Sequence, residues 1–214
     1  MPSIITHAAV PLALWCAADR GRIPPRLLAA GVIAAMLPDA DVLAFALHIP
    51  YADVFGHRGA SHSLLFAGVL AALAAALALF GSRRPWSAPY SPGSRRPWSA
   101  VSCQPRLAPT IARPTVASTV QAAVFVFICA ASHPLLDAMT SGGLGVALAW
   151  PWSEQRFFAP WRPIRVSPFA PQFFSARGLA TLMSELRWVW LPLAGAVVAW
   201  KLIQPAPAAP RDPS

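Results

Sequence analysis

The sequence predicts an all-α integral membrane protein, a bundle of four to five apolar helices without a significant β-sheet. Of the 214 residues, 56% are hydrophobic and only 12% are charged, and the mean hydropathy is +0.51. Several apolar runs are long enough to cross the hydrocarbon core of a bilayer. Essentially no stretch alternates apolar and polar residues as a half-buried strand would. We therefore expect one membrane-embedded domain over residues 1–204.

The first apolar run covers residues 3–18, and the second covers residues 27–47. The first lacks the preceding basic residues of a signal peptide, so we expect it to persist as a short helix that is tilted or lies at the interface. The second contains Pro38, which removes a backbone donor and clashes with the preceding turn. An unwound turn is therefore expected there, with Asp39 and Asp41 on it.

Three further runs complete the bundle. The third, Leu64 to Phe80, is uninterrupted, and the fourth begins near Val116 and continues past Ala131. The fifth, Trp188 to Ile203, opens with an aromatic pair that is typical of a membrane interface.

The segment between the third and fourth runs, residues 81–115, is rich in Pro, Ser and Arg. It contains an exact duplication, because GSRRPWSA at residues 81–88 recurs at residues 93–100. Two proline-rich copies are too few for a repeat fold, so we interpret the segment as a tolerant linker. The Pro/Ala-rich tail at 205–214 is expected to be disordered.

The arginines predict the orientation of the bundle and argue against a nucleic-acid partner. Most lie between apolar runs, where they meet lipid headgroups, so the net charge of +9 indicates membrane lipids as partners. The positive-inside rule places linker 81–115 in the cytoplasm. Alternating spans then place the N-terminus, residues 48–63 and residues 133–187 on the opposite face.

Most ionisable side chains other than arginine fall into four short clusters within apolar sequence. An unpaired carboxylate inside a bilayer costs about 2.5–3.5 kcal/mol even on the lenient insertion scale. With alternating spans, all four clusters reach the same membrane face, whichever way the bundle is oriented. They are Thr6-His7, Pro38-Asp39-Ala40-Asp41, His57 to Ser63, and Ser132 to Asp137.

The spacing within these clusters is typical of metal ligands. His133 and Asp137 are four residues apart, so on a helix they share one face. His57 and His62 flank Gly59, which indicates a turn that brings the two imidazoles together. We therefore predict a divalent cation, zinc first with manganese or iron as alternatives, held either as a single ion or in a two-metal centre. The candidate ligands are His7, Asp39, His57, His62, His133 and Asp137.

Four other residues have predicted roles around these ligands. Asp41 is interpreted as a further ligand or a general base, and Arg58 as a cation that neutralises phosphoryl oxygens. Ser63 and Thr140 are expected to hydrogen-bond to the ligands.

Two alternatives need no catalysis. Arg58 can pair with Asp39 and Asp41 in a salt-bridged structural or partner-binding protein. A small transporter also places carboxylates and histidines at membrane depth, but it should then show repeats or paired broken helices. Five histidines exceed what a salt-bridged knot needs, and neutral imidazole is the commonest metal ligand. The pattern therefore favours a metal site.

The order of these motifs resembles the YdjM-type family of membrane-bound metal-dependent hydrolases. Its elements are Thr-His, Pro-Asp-x-Asp, His-Arg-Gly-x-x-His-Ser, and His-x-x-x-Asp followed by Thr and Gly. The resemblance covers residues 1 to about 160, and the duplication at 81–115 departs from it. More distantly, the Pro-Asp and His-x-x-x-Asp elements look like those of zinc-dependent phospholipase C and P1-type nucleases.

The resemblance implies a hydrolase with a divalent metal at the membrane face. A metal-activated water would attack a phosphoester, and at headgroup depth the available phosphoesters are phospholipids and lipid-linked phosphates. We expect the protein in a bacterial inner membrane, with its site on the non-cytoplasmic face.

Overall fold

The computed structural model describes residues 1–18, 22–80, 115–168 and 172–204. Over these ranges the protein is helical and has no strand, only isolated bridges between Thr140 and Ile164 and between Val146 and Phe157. The predicted all-α class is confirmed. The linker prediction for residues 81–115, apart from Thr115, and the tail prediction for residues 205–214 lie outside the described residues.

Seven α-helices form the described part of the chain. They are α1 Ala9–Ala17, α2 Pro25–Met36, α3 Leu43–Ala46, α4 Leu64–Phe80, α5 Val116–Ala138, α6 Ala176–Glu185 and α7 Leu191–Ile203. Short 3₁₀ segments lie at Ile4–Ala8, Leu37–Val42, Ala60–His62 and Gln172–Phe174, and a π-helical turn at Leu186–Trp190 joins α6 to α7.

Three continuous helical stretches are long and apolar enough to cross a membrane: Pro25–Ala46, Val116–Ala138 and Ala176–Ile203. The stretch Ile4–Ala17 and helix α4 are apolar but shorter. Large apolar side chains face outward, and Ile33, Leu77 and Leu202 are 63%, 63% and 80% exposed. Such a surface suits contact with lipid.

The expected break in the second run is confirmed. Helix α2 ends at Met36, and Leu37–Val42 continues as a 3₁₀ turn that contains Pro38. The third run coincides with α4. The predicted start of the fifth run at Trp188 is too late, because the helical stretch begins at Ala176. Helix α6 is amphipathic rather than uniformly apolar, so a search for apolar runs does not detect it.

Small residues allow α2, α4 and α5 to pack closely. The core between them contains Ala34 and Ala35 from α2, Ala67 from α4 and Cys129 from α5. At Gly31, a Cβ atom would lie 2.4 Å from a ring carbon of Phe125. Close packing through small residues is typical of helices in membranes, and here it brings the ends of α2 and α5 together.

Candidate metal centre

Four buried side chains meet where the 3₁₀ turn after α2, the 3₁₀ turn before α4 and the end of α5 come together. They are Asp39, His62, His133 and Asp137, and one ligand atom from each lies within 4.8 Å of all the others. The Nε2 atom of His133 lies 3.4 Å from Oδ1 of Asp39, and Nε2 of His62 lies 3.3 Å from Oδ2 of Asp137. This arrangement is a candidate site for a divalent cation.

The contacts of the other ring nitrogens orient both imidazoles in this group. Nδ1 of His133 lies 2.7 Å from the carbonyl oxygen of Ala35, so it carries the proton and donates it. Nδ1 of His62 lies 3.1 Å from Oδ2 of Asp41. The two Nε2 atoms are 2.9 Å apart. Two lone pairs that face each other at this distance need a cation or a proton between them, and the donor set suits zinc.

Asp39 offers a second observation that fits a cation. Both of its carboxylate oxygens are buried and make no hydrogen bond to the described residues, and the residue is 3% exposed. A buried charge without a partner is costly, whereas a bound divalent cation would balance it.

Asp41 anchors the segment that carries the histidines rather than joining the four-residue group. Its carboxylate accepts hydrogen bonds from the ring of His57, the backbone N–H of Arg58 at 3.0 Å and the hydroxyl of Ser61 at 2.7 Å. Together with its contact to Nδ1 of His62, these bonds fix both histidines of the segment. The predicted roles of Asp41 as a ligand or general base stay predictions.

Arg58 is fully buried and holds Asp137. Its Nε lies 2.9 Å from Oδ2 of Asp137. One terminal nitrogen donates to the carbonyl oxygen of Gly142 and the other to the hydroxyl of Thr140, each at 3.0 Å. Arg58 itself adopts a left-handed backbone conformation with φ of 64°. Its predicted action on a phosphoryl group stays a prediction.

The remaining predicted site residues lie at different distances from the group. His7 is adjacent, with Nε2 at 3.6 Å from Asp39 and 3.7 Å from Asp137. His57 is one layer further out, its ring centroid 5.7 Å from that of His62. The hydroxyl of Thr140 binds Arg58 and the carbonyl of Asp137, whereas that of Ser63 caps helix α4 by accepting from the N–H of Phe66.

The electrostatics of the segment before α4 also favour positive charge in the group. Burial opposes protonation of His62, but its contacts with Asp137 and Asp41 outweigh burial and raise the pKa of His62 to about 9. The same carboxylates would stabilise a divalent cation at this position, so a proton on His62 and a metal ion compete for the site.

Comparison with known proteins assigns the chain to a family. The family described as YdjM inner membrane protein matches residues 1–208. The chain belongs to this family. It is also 43% identical over 193 residues to the inner membrane protein YbcI of Escherichia coli strain K12, a match that covers 90% of this chain and 92% of the relative. No solved structure gives a significant match.

Together with its apolar helices, this match identifies the YdjM-family chain as an inner membrane protein. The predicted family is confirmed, and so is the predicted location in an inner membrane, whereas the face on which the site lies stays a prediction. The likeness to phospholipase C and P1-type nucleases stays a prediction.

Sequence reasoning missed three side chains that build the site of this YdjM-family protein. Ser61 lies 3.0 Å from Nδ1 of His62. Arg156 donates to the carbonyl oxygens of Tyr51, Asp53 and His57 at 2.9–3.3 Å and so holds the loop before the centre. Glu185, a single carboxylate on helix α6, is 1% exposed. A carboxylate shortly before an apolar run is the signal that could have found it.

A cavity of about 290 Å³ lies beside His57 in this YdjM-family protein, one layer out from the four-residue group. Tyr51, His57, Gly143, Gln172 and Arg177 are among its lining residues. Gly143 has a positive φ of 91°, and a Cβ atom there would lie 2.7 Å from a terminal nitrogen of Arg58 and 2.9 Å from the hydroxyl of Tyr51. The absence of a side chain at this position allows the backbone to approach both groups.

Proposed function

We propose that this protein is a metal-dependent hydrolase that cleaves a phosphoester at the membrane face. Asp39, His62, His133 and Asp137 would hold the ion, with zinc as the first choice and manganese or iron as alternatives. The observation that carries the proposal is the convergence of these four buried ligand atoms within 4.8 Å. A bound ion would lower the pKa of a coordinated water toward about 7 and polarise a phosphoryl oxygen.

The chain's own residues would prepare this centre in two ways. Arg58 holds Asp137 in place through the 2.9 Å ion pair and balances its charge. Asp41 orients His62 through Nδ1, so that Nε2 remains available as a ligand, as is usual for a histidine paired with a carboxylate.

The cavity beside His57 supports an anionic, headgroup-sized substrate. Arg177 supplies a cation at its lining, and Tyr51 and Gln172 supply polar groups. Lipid phosphoesters and lipid-linked phosphates combine an anionic phosphate with access from the bilayer. They are therefore the substrate classes that we propose, on the non-cytoplasmic face of the inner membrane.

Metal analysis of the detergent-purified protein tests this proposal. We expect stoichiometric zinc, manganese or iron in the wild type, and its loss in His62→Ala and Asp137→Ala. His48→Ala is the matched control, because His48 is exposed in the loop after α3 and outside the four-residue group. Folded wild-type protein that binds none of these metals after reconstitution would overturn the proposal.

An activity screen then tests the substrate class. Purified protein would be assayed against phospholipids, polyprenyl phosphates and a generic phosphoester, with and without a chelator. We expect phosphate or headgroup release that the chelator abolishes and that added zinc or manganese restores. A metal-loaded protein that cleaves no phosphoester would refute the hydrolase assignment while leaving the metal site intact.

A further inference from the structure

His7 is buried beside the four-residue group without joining it. The residue is fully buried, and neither of its ring nitrogens makes a hydrogen bond within the part of the chain that the structure describes. Buried imidazoles ordinarily satisfy at least one nitrogen. A histidine that serves only as packing would not leave both nitrogens without hydrogen-bond partners, so Nε2 is available to bind a ligand.

The distances from Nε2 of His7 define a candidate position. Nε2 lies 3.6 Å from Oδ2 of Asp39 and 3.7 Å from Oδ1 of Asp137. Two ligands that each lie about 2.1 Å from one tetrahedral ion are about 3.4 Å apart. Nε2 of His7 therefore lies from each of the two carboxylate oxygens at about the spacing of ligands that share one cation.

The carboxylate oxygens that face His7 are not those that face the other histidines. Asp39 presents Oδ1 to His133 at 3.4 Å and to His62 at 3.8 Å, and Asp137 presents Oδ2 to His62 at 3.3 Å. Each carboxylate thus has one oxygen toward the histidine pair and the other toward His7. Carboxylates oriented in this way can bridge two cations.

We propose that the centre holds two divalent cations bridged by Asp39 and Asp137, the second bound by His7. This inference rests on the proposed function, because it assumes that the four-residue group holds the first ion. The ring of His7 stacks on that of His133 with the centroids 3.7 Å apart and the planes inclined by 19°.

The two positions have different ligand sets. The first has four protein ligands, which is typical of a closed site, whereas the second has three, which is typical of a site with a position open to water or substrate. The second position is therefore the one suited to take a substrate oxygen. Two divalent cations would also make the centre net positive despite the charges of Asp39 and Asp137, which suits a phosphoester better than a neutral substrate.

The metal stoichiometry of reconstituted protein tests the second position. After loading with zinc or manganese and removal of excess metal, we expect two ions per chain in the wild type and in His48→Ala, and one in His7→Ala. No metal in any variant would overturn the proposed function. One ion in the wild type, or two in His7→Ala, would overturn only the two-cation inference.

A spectroscopic measurement on the wild type needs no variant and so avoids any folding defect of His7→Ala. We expect the electron paramagnetic resonance spectrum of manganese-saturated wild-type protein to show spin coupling between two Mn(II) ions. His7→Gln should give the six-line signal of an isolated Mn(II). An isolated signal from the saturated wild type would contradict the bridged pair.

Discussion

At the level of single residues, Asp41 is a side chain that orients several groups of the centre. It binds His57, Ser61 and the backbone of Arg58, and it lies 3.1 Å from Nδ1 of His62. A carboxylate behind a metal-binding histidine fixes the tautomer and raises the basicity of the ligating nitrogen. Asp41 can therefore determine metal affinity without touching the ion.

We predict that Asp41→Asn lowers metal affinity by about 10- to 100-fold, as loss of a partner behind a ligating histidine usually does. The amide keeps the size of the side chain but removes its charge and part of its accepting capacity. Competition with a chromogenic chelator would measure the change. Asp53→Asn, in an exposed turn, should match the wild type, and an unchanged affinity in Asp41→Asn would contradict the role assigned to Asp41.

The residues of the centre differ in how far the sequence could predict them. His133 and Asp137 were predictable because helix geometry alone puts residues four apart on one face. Asp39 was predictable because a carboxylate in an apolar run needs a partner. The contact of Ser61 with Asp41 and that of the Ala35 carbonyl with His133 were not predictable, because both depend on how separate segments pack in space.

At the level of elements, the last membrane helix holds the segment that carries His7. Glu185, at the end of α6, accepts hydrogen bonds from the backbone and hydroxyl of Ser3 and from the hydroxyl of Thr6, the last at 2.7 Å. Nε1 of Trp190 donates to the same hydroxyl at 3.1 Å. Glu185 immediately precedes the π-helical turn Leu186–Trp190, and Trp190 ends it; such turns are frequent at functional sites.

We predict that Glu185→Ala destabilises the protein by about 1–3 kcal/mol, because it leaves buried donors of Ser3 and Thr6 without an acceptor. It should also reduce occupancy at the position that we assign to His7. Unfolding in detergent and metal counting would measure the two effects. Glu154→Ala, on an exposed loop, is the matched control, and equal stability of the two variants would refute the role of Glu185.

The packing of α2 against α5 gives a second prediction at this scale. Gly31→Val should destabilise the protein by about 1–3 kcal/mol, as overpacking of a tight core does, because even a Cβ atom would lie 2.4 Å from Phe125 and 3.0 Å from Cys129. Gly195→Val on α7 is the control, since a Cβ there meets nothing within 4 Å. Thermal unfolding in detergent compares the two, and equal midpoints would contradict close packing at Gly31.

Helix boundaries, like site residues, were predictable where a local residue causes them and not where contacts with distant parts of the chain do. The break after Met36 was predictable because Pro38 alone disrupts the hydrogen-bond ladder. The start of the last helical stretch at Ala176 was not predictable, because α6 carries Arg177, Ser184 and Glu185 and is therefore not uniformly apolar. Its position depends on Glu185, whose partners lie at the other end of the chain.

For the whole molecule, the site lies at one end of the bundle, beneath the loop that follows α5. The N–H of Ala147 donates to the carbonyl of Arg58, and that of Leu64 donates to the carbonyl of Leu148. The arginines in this loop count against the predicted orientation, because the positive-inside rule would place them in the cytoplasm as well. However, Arg156 is engaged with three backbone carbonyls of the loop before the centre, and longer loops follow the positive-inside rule poorly. The arginine-rich linker 81–115 therefore still predicts that the site faces away from the cytoplasm.

Cysteine labelling in cells tests this orientation. Trp152 is 79% exposed on the loop at the site end, and Cys103 lies in the linker at 81–115. One variant would keep Cys103 in a Cys16→Ser background, and another would combine Cys16→Ser and Cys103→Ser with Trp152→Cys. Cys129 can remain in both variants because it is fully buried.

With a membrane-impermeant maleimide and an intact inner membrane, we expect the Trp152→Cys variant to be labelled at once. Cys103 should react only after the inner membrane is opened, because the positive-inside rule places its linker in the cytoplasm. The opposite pattern would place the metal centre at the cytoplasmic face. A substrate would then have to come from the inner leaflet, although the geometry of the centre would be unchanged.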